Sequence, residues 1–346
     1  MRRALLAVIA ACAPSPPSAP VAPASHEAAP EPALPLPRTI ASDLPCPRRV
    51  AVDAKHVYWM DAVGAVSRAS RAGGAVEVVA PVPARKRLET IEGDLVLDDD
   101  SIVWSQATWD PSAEREGVEA LILRRPKSGG AAVRVAKADP TNLFALAIDG
   151  GRIYWQEETR EGGRLVRAPK TGGSAETVVD QPSWRWLVAG GFVYRADAEG
   201  AVVRHHDTGG PAAFVAAVTH IVSQMIVDDA RVYWSTIREP HTLSSAPLTG
   251  GDPEKLADVD SFFESLAQDA THLYWLESIP FGQIEWTSTR LQRAPKRGGA
   301  VETLGEDFAG PCMDLAVGAD AVYVACCGTD AKDPRGAVVA RAKTAR

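Results

Sequence analysis

Five cysteines and seven histidines hold most of the chemical scope of this chain. Cys12 closes the run Ile9-Ala10-Ala11-Cys12, small residues before a thiol, which makes it a candidate for lipid attachment after cleavage. Cys46, Cys312, Cys326 and Cys327 have no Cys-x-x-Cys spacing and no nearby histidine, which argues for disulfides over zinc. His205-His206 is the one tempting pair for acid–base chemistry, and Asp98-Asp99-Asp100 the one acidic run with calcium-like composition. Acidic residues at a turn also serve turn geometry, and that reading fits this run better. No phosphate loop, HExxH or Gly-x-Ser-x-Gly elbow occurs. No catalytic residue, metal or cofactor is therefore implied.

The ends and the overall composition set the address. Of 346 residues, 46% are apolar and 23% charged, as in soluble globular proteins. The formal charge of −7 offers no cationic field for nucleic acid. Arg2 and Arg3 precede an apolar stretch over 4–11, far short of the about 20 residues a membrane span needs. Residues 1–11 thus read as a signal peptide, and with Cys12 they resemble a bacterial lipobox. The resemblance implies a lipoprotein anchored to a membrane of the bacterial cell envelope, periplasmic or surface-facing. Residues 13–37 hold nine of the 26 prolines. Such a segment cannot bury enough apolar surface to offset its ordering entropy, so 12–37 reads as a lipidated tether.

The remainder, 38–346, is a repeat. An aliphatic residue followed by Tyr-Trp recurs at Val57-Tyr58-Trp59, Ile153-Tyr154-Trp155, Val232-Tyr233-Trp234 and Leu273-Tyr274-Trp275. Degenerate copies stand at Ile102-Val103-Trp104, Val193-Tyr194-Arg195 and Val322-Tyr323-Val324. All six tyrosines occupy this anchor, spaced with Val103 at intervals of 45, 51, 40, 39, 41 and 49 residues. A short apolar run precedes each anchor, and a turn residue stands five before it: Asp53, Asp98, Asp149, Ala189, Asp228, Asp269 and Gly318. Downstream comes a basic segment ending in a Gly-Gly turn, such as Arg167-Ala168-Pro169-Lys170-Thr171-Gly172-Gly173.

Each unit is thus four short antiparallel strands, A to D, at the period of a propeller blade. Side chains alternate along a strand, so neighbouring Tyr and Trp on strand B fill the gaps on both sides of a blade. The expected fold is an all-β, seven-bladed β-propeller of four-stranded antiparallel blades. The last unit stops at strand C, and Arg38-Thr39-Ile40-Ala41-Ser42 has no unit of its own. This N-terminal strand is expected to close the last blade, removing two sheet edges. His205-His206 then falls on a strand C, where side chains are usually solvated.

The Tyr-Trp strand with Arg-x-Pro-Lys-x-Gly-Gly resembles the YWTD-type propeller of low-density-lipoprotein-receptor-like proteins and its bacterial lipoprotein relatives. Two departures stand out. Receptor propellers have six blades, and the Thr-Asp of the name is missing here, with Trp59-Met60-Asp61 its nearest approach.

Ring closure makes the first and seventh units neighbours. Cys46 and Cys312 then open two adjacent strands A, while Cys326 and Cys327 end a strand B on the same face. Three pairings are possible, and Cys312–Cys326 with Cys46–Cys327 is favoured.

The same face carries the candidate binding residues. Connections between strands B and C are long at Ser105 to Val118, Glu277 to Ser288 and Gly328 to Gly336, and they carry Trp109 and Trp286. Variable loops on a rigid scaffold are where binding concentrates. Around the channel mouth stand Arg49, Asp94, Arg185, Gln224 and Asp314, with Trp184 and Glu264 beside them. A non-enzymatic, monomeric propeller binding a protein, peptide or glycan is the leading expectation. A lyase- or hydrolase-type enzyme using this same face is the alternative.

Overall fold

The computed structural model describes residues 36–344, apart from 82–88, 92, 110–118, 139–142, 160–161, 181–185, 198–199, 238–239, 262, 282–284, 309 and 330–334. Seven antiparallel sheets follow one another along the chain. Their strands A are Pro47–Val52, Leu95–Leu97, Leu143–Asp149, Trp186–Ala189, Val222–Val227, Phe263–Gln268 and Cys312–Val317. Each packs against strand A of the next blade, and the seventh against the first, closing a ring. The structure is a seven-bladed β-propeller.

Blade 7 is completed by the N-terminal strand. Arg38–Pro45 pairs antiparallel with strand C of that blade, Arg335–Ala342, and buries Ile40, Ala41 and Leu44. The closing strand is longer than the sequence suggested, because the chain passes into blade 1 through Cys46 alone. Cys46 turns the chain in the left-handed region at φ 45°.

Seven apolar clusters fill the seven gaps between blades. Tyr58 meets Trp104 of the next blade, Tyr194 meets Trp234, and Tyr233 meets Trp275. Tyr thus faces forward and Trp backward around the ring. Trp59, Trp104, Trp155 and Trp275 are almost fully buried. Each such ring removes 150–250 Å² from water, roughly 4–6 kcal/mol of transfer free energy before ordering costs.

Two of the expected long loops begin and end as hairpin extensions, flanking 110–118 and 282–284, which lie outside the described residues. In blade 2, strand B runs over Ser101–Trp109 and pairs with both Leu95–Leu97 and an added strand, Glu89–Ile91. In blade 6, His272–Phe281 pairs with Glu285–Pro295 along its whole length. Pairing continues past the blade body because the extension satisfies its own backbone groups, which a bare loop cannot.

Candidate functional site: two faces of one disc

One face holds the A–B and Gly-Gly turns. Here Asp53 Oδ1 accepts the N–H groups of Lys55 and His56 at 2.8 Å, fixing the turn. Its Oδ2 accepts the Tyr58 hydroxyl at 3.0 Å and sits 3.1 Å from Lys127 Nζ of the next blade. The arrangement recurs around the ring. Asp228 takes Tyr233 at 2.9 Å and Lys296 at 2.9 Å, while Asp269 takes Tyr274 at 2.8 Å and Lys343 at 2.6 Å. Lys170 reaches back to Asp98 at 2.6 Å. The basic turn motif is therefore a latch between blades. Strand C arginines reinforce it: Arg68 donates to the Lys127 carbonyl and Arg167 to the Asp207 carbonyl, both at 2.8 Å.

Exceptions follow the same logic. Between blades 7 and 1 the acid moves to Asp320, which holds Arg71 and Tyr323. Between blades 3 and 4 the acid crosses the gap, and Asp207 accepts from Tyr154 at 2.5 Å and Arg167 at 2.9 Å. Between blades 4 and 5 both partners vanish together, leaving Ala189 and Leu248, with Leu248 packed in the apolar cluster of Tyr194. Burial alone would raise these carboxyls. The turn N–H groups, lysines and tyrosines outweigh it and hold Asp53 and Asp228 down at about 2. Tyr233, beside its carboxylate and partly buried, is pushed in the opposite direction.

The other face holds the channel mouth and the B–C hairpins. Strand A carries a register shift near its start in blades 1, 3, 5, 6 and 7. Such bulges re-aim side chains and leave backbone groups unpaired. The mouth residues fill that need. Asp314 Oδ2 accepts the Val50 N–H of blade 1 at 2.9 Å, and Oδ1 accepts Ser265 Oγ of blade 6 at 2.7 Å. Asp94 Oδ2 likewise accepts the Leu146 N–H of blade 3 at 2.9 Å, and its Oδ1 lies 3.5 Å from Arg49 Nε. The backbone N–H groups of Asp94 and Gln224 donate to Ser105 and Ser235, at 2.8 and 3.2 Å. Arg49, Asp94 and Asp314 thus come together, and Gln224 stands at the same bend of blade 5. Burial raises the Asp314 carboxyl to about 6 against the pull of Arg49 and its hydrogen bonds.

Trp184 and Arg185 lie outside the described residues. Trp109, Glu264 and Trp286 are placed by their strands, but their side chains lie outside the described residues. Disulfides join Cys46 to Cys327 and Cys312 to Cys326, the combination favoured above. His205 is buried, its Nδ1 against the His206 carbonyl at 2.9 Å, so the expectation of a solvated position fails for it. His206 packs on Phe192 with centroids 4.3 Å apart. Among the described residues, no group of three or more His, Cys, Asp or Glu is arranged to hold a metal ion.

One ring of residues escaped the sequence reading. Three positions after the anchor stand Asp61, Glu157, Asp197 and Glu277, at the loop-face end of strand B. Asp61 caps its turn by accepting the Ala65 N–H at 2.9 Å. Glu157 and Glu277 each accept the Nε1–H of the preceding Trp at 2.7 Å. Burial raises both Asp61 and Glu277 above the usual carboxylate range. The signal was available: an acidic side chain two residues after Trp59, Trp155 and Trp275.

No family model matches the chain, and no curated protein matches it in sequence. Solved structures share the fold. A Mycobacterium tuberculosis puromycin-hydrolyzing peptidase is 14% identical over 89% of this chain, at a TM-score of 0.60, and this chain covers 55% of it. YCF48 bound to D1 peptide is 10% identical, covering 89% of this chain and 96% of that one, at a TM-score of 0.57. The computationally designed Ika8 protein is 12% identical, covering 88% and 98%, at a TM-score of 0.56. At these identities the likeness is one of fold.

Proposed function

We propose that this chain is an exported lipoprotein, held at a membrane of the cell envelope through Cys12, whose monomeric propeller binds a protein, peptide or glycan partner without catalysis. The observation that carries the reading is the division between the faces. On the turn face, charges are consumed by neighbour-to-neighbour latches, whereas the loop face has hairpins of unequal length. Variable elements on a rigid ring can be specialised without disturbing the fold. Two disulfides fit an oxidising compartment outside the cytoplasm. YCF48, a propeller of similar extent, occurs in a peptide complex, which supports binding as a use of such a ring. The Tyr-Trp strand and its basic turn support kinship with YWTD-type propellers.

Photo-crosslinking residues placed at Arg185 and Trp286, and separately at Lys170 and Lys296, test this in the native membrane. Adducts from the first pair alone are expected. Adducts from the second pair alone would overturn the assignment of the face.

A further inference from the structure

We propose that the turn-face end of the gap between blades 4 and 5 binds a carboxylate joined to an apolar group, where neighbouring gaps carry a carboxylate of their own. The site is separate from the loop face and does not depend on that reading.

Strand C of blades 1, 3, 4 and 6 places an arginine beside the anchor tyrosine. Arg68, Arg167, Arg204 and Arg293 pair in register with Tyr58, Tyr154, Tyr194 and Tyr274. In three of these blades strand D then supplies a glutamate. Glu77 lies 2.8 Å from Arg68, Glu176 2.7 Å from Arg167 and Glu302 2.6 Å from Arg293. In the same three, an aspartate accepts the tyrosine hydroxyl. Blade 4 keeps the arginine and the tyrosine without these acids. Ala213 stands opposite Arg204, Ala189 holds the turn position of Asp53, and Leu248 that of the latch lysine.

Turns at 189–192, 206–213, 228–231 and 247–254 border this end, and all lie within the described residues. Three of their acids are engaged elsewhere: Asp207 with Tyr154 and Arg167, Asp228 with Tyr233 and Lys296, and Glu254 with Arg231. Asp229 and Asp252 form no ion pair with Arg204. Among the described residues, no hydrogen bond reaches the Tyr194 hydroxyl. The Arg204 guanidinium lies instead over the Phe192 ring, 4.9 Å from its centroid. A cation on an aromatic face keeps its in-plane N–H groups free for an anion. A Cβ at Gly190 or Gly191 would meet nothing within 4 Å, so the approach to Ala189 is open. Phe192 and Leu248 pack against the Tyr194 cluster and give the gap an apolar wall. An incoming carboxylate would accept from Arg204 and Tyr194 as Asp207 accepts from Arg167 and Tyr154 one gap earlier. Its apolar group would cover Phe192 and Leu248.

The test uses the mature chain and phenylacetate, read by ligand-observed NMR titration, beside neutral phenylacetamide and inorganic phosphate. Phenylacetate should bind about tenfold tighter than either. R204M should weaken it about tenfold, and Y194F about threefold. A189D should abolish binding without lowering Tm, because the chain then fills the site from within. R68M should leave binding unchanged, since Glu77 already holds that guanidinium. A dipeptide, N-acetyl-Leu-Phe with a free C-terminus, separates the sources of the carboxylate. Binding tighter than phenylacetate and lost in R204M supports the end of a polypeptide as ligand; weaker binding supports a small organic acid. Equal binding of phenylacetate and phenylacetamide would overturn the proposal. So would phosphate binding as tightly as phenylacetate, or binding indifferent to R204M and A189D.

Discussion

The two faces of the ring are written by one repeat, yet their acids behave oppositely. On the turn face, Asp53 and Asp228 are held at about 2 by turn N–H groups, a tyrosine hydroxyl and the next blade's lysine. On the loop face, burial raises Asp314 to about 6 and raises Glu277, against the pull of Arg49 and Arg290. The turn face has closed its electrostatic account internally. The loop face holds its acids by burial and by hydrogen bonds to backbone and serine instead.

Breaking the ring itself should have the largest effect. Deleting 38–44 removes the ladder to Arg335–Ala342 and the burial of Ile40 and Leu44. A loss of at least about 4 kcal/mol is expected, read as a fall in Tm of about 8 °C or more. Deleting 13–33 should leave Tm almost unchanged; equal Tm values for the two deletions would break the closure argument.

Next come the disulfides. Replacing Cys46 and Cys327 by Ala should cost roughly 2–5 kcal/mol in chemical denaturation. Replacing Cys312 and Cys326 should cost less, since that bridge spans 14 residues of sequence rather than 281.

A latch is smaller. K296M should lower stability by about 1 kcal/mol, because Lys296 and Asp228 are only 11% and 26% exposed. The converse sharpens the comparison: Ala189→Asp with Leu248→Lys would write a latch into the one gap that lacks it. The double variant should exceed the sum of the singles by about 0.5–1 kcal/mol. An additive cycle would mean that the ion pairs elsewhere are decoration.

The pH dependence has the smallest amplitude and separates the faces by sign. Carboxyls near 2 in the fold and 3.8 when unfolded stabilise above about pH 4, and that stability is lost as pH falls toward 2. Asp314 works in reverse. Stability should decline as pH rises from about 4 to about 6, while its carboxyl carbon titrates near 6 by NMR. Titration of Asp314 below 4 would remove the contrast.

The blades, their number, the Tyr–Trp packing and the N-terminal closure were legible because each rests on periodicity, which a sequence displays directly. The latches were half legible. Turn geometry accounted for Asp53 and Asp228, but their second partners sit 74 and 68 residues away, across a gap that only the ring creates. The joint absence at Ala189 and Leu248 was a readable trace of that pairing. Bulges at the mouth left no comparable mark, because they are set by strands A converging on the channel rather than by residue type. The stretches after Ser105 and Glu277 looked like loops, the first because it is mostly polar and the second because Pro280 and Gly282 interrupt it.

The most direct test pairs two double variants in one experiment. R185A with W286A alters the loop face, and K170A with K296A alters the turn face. Each is measured for partner retention on native membranes and for Tm. The first should lose retention by tenfold or more at unchanged Tm, and the second should lower Tm while retention holds. The reverse pattern, with turn lysines governing retention, would contradict the assignment of scaffold to one side and recognition to the other.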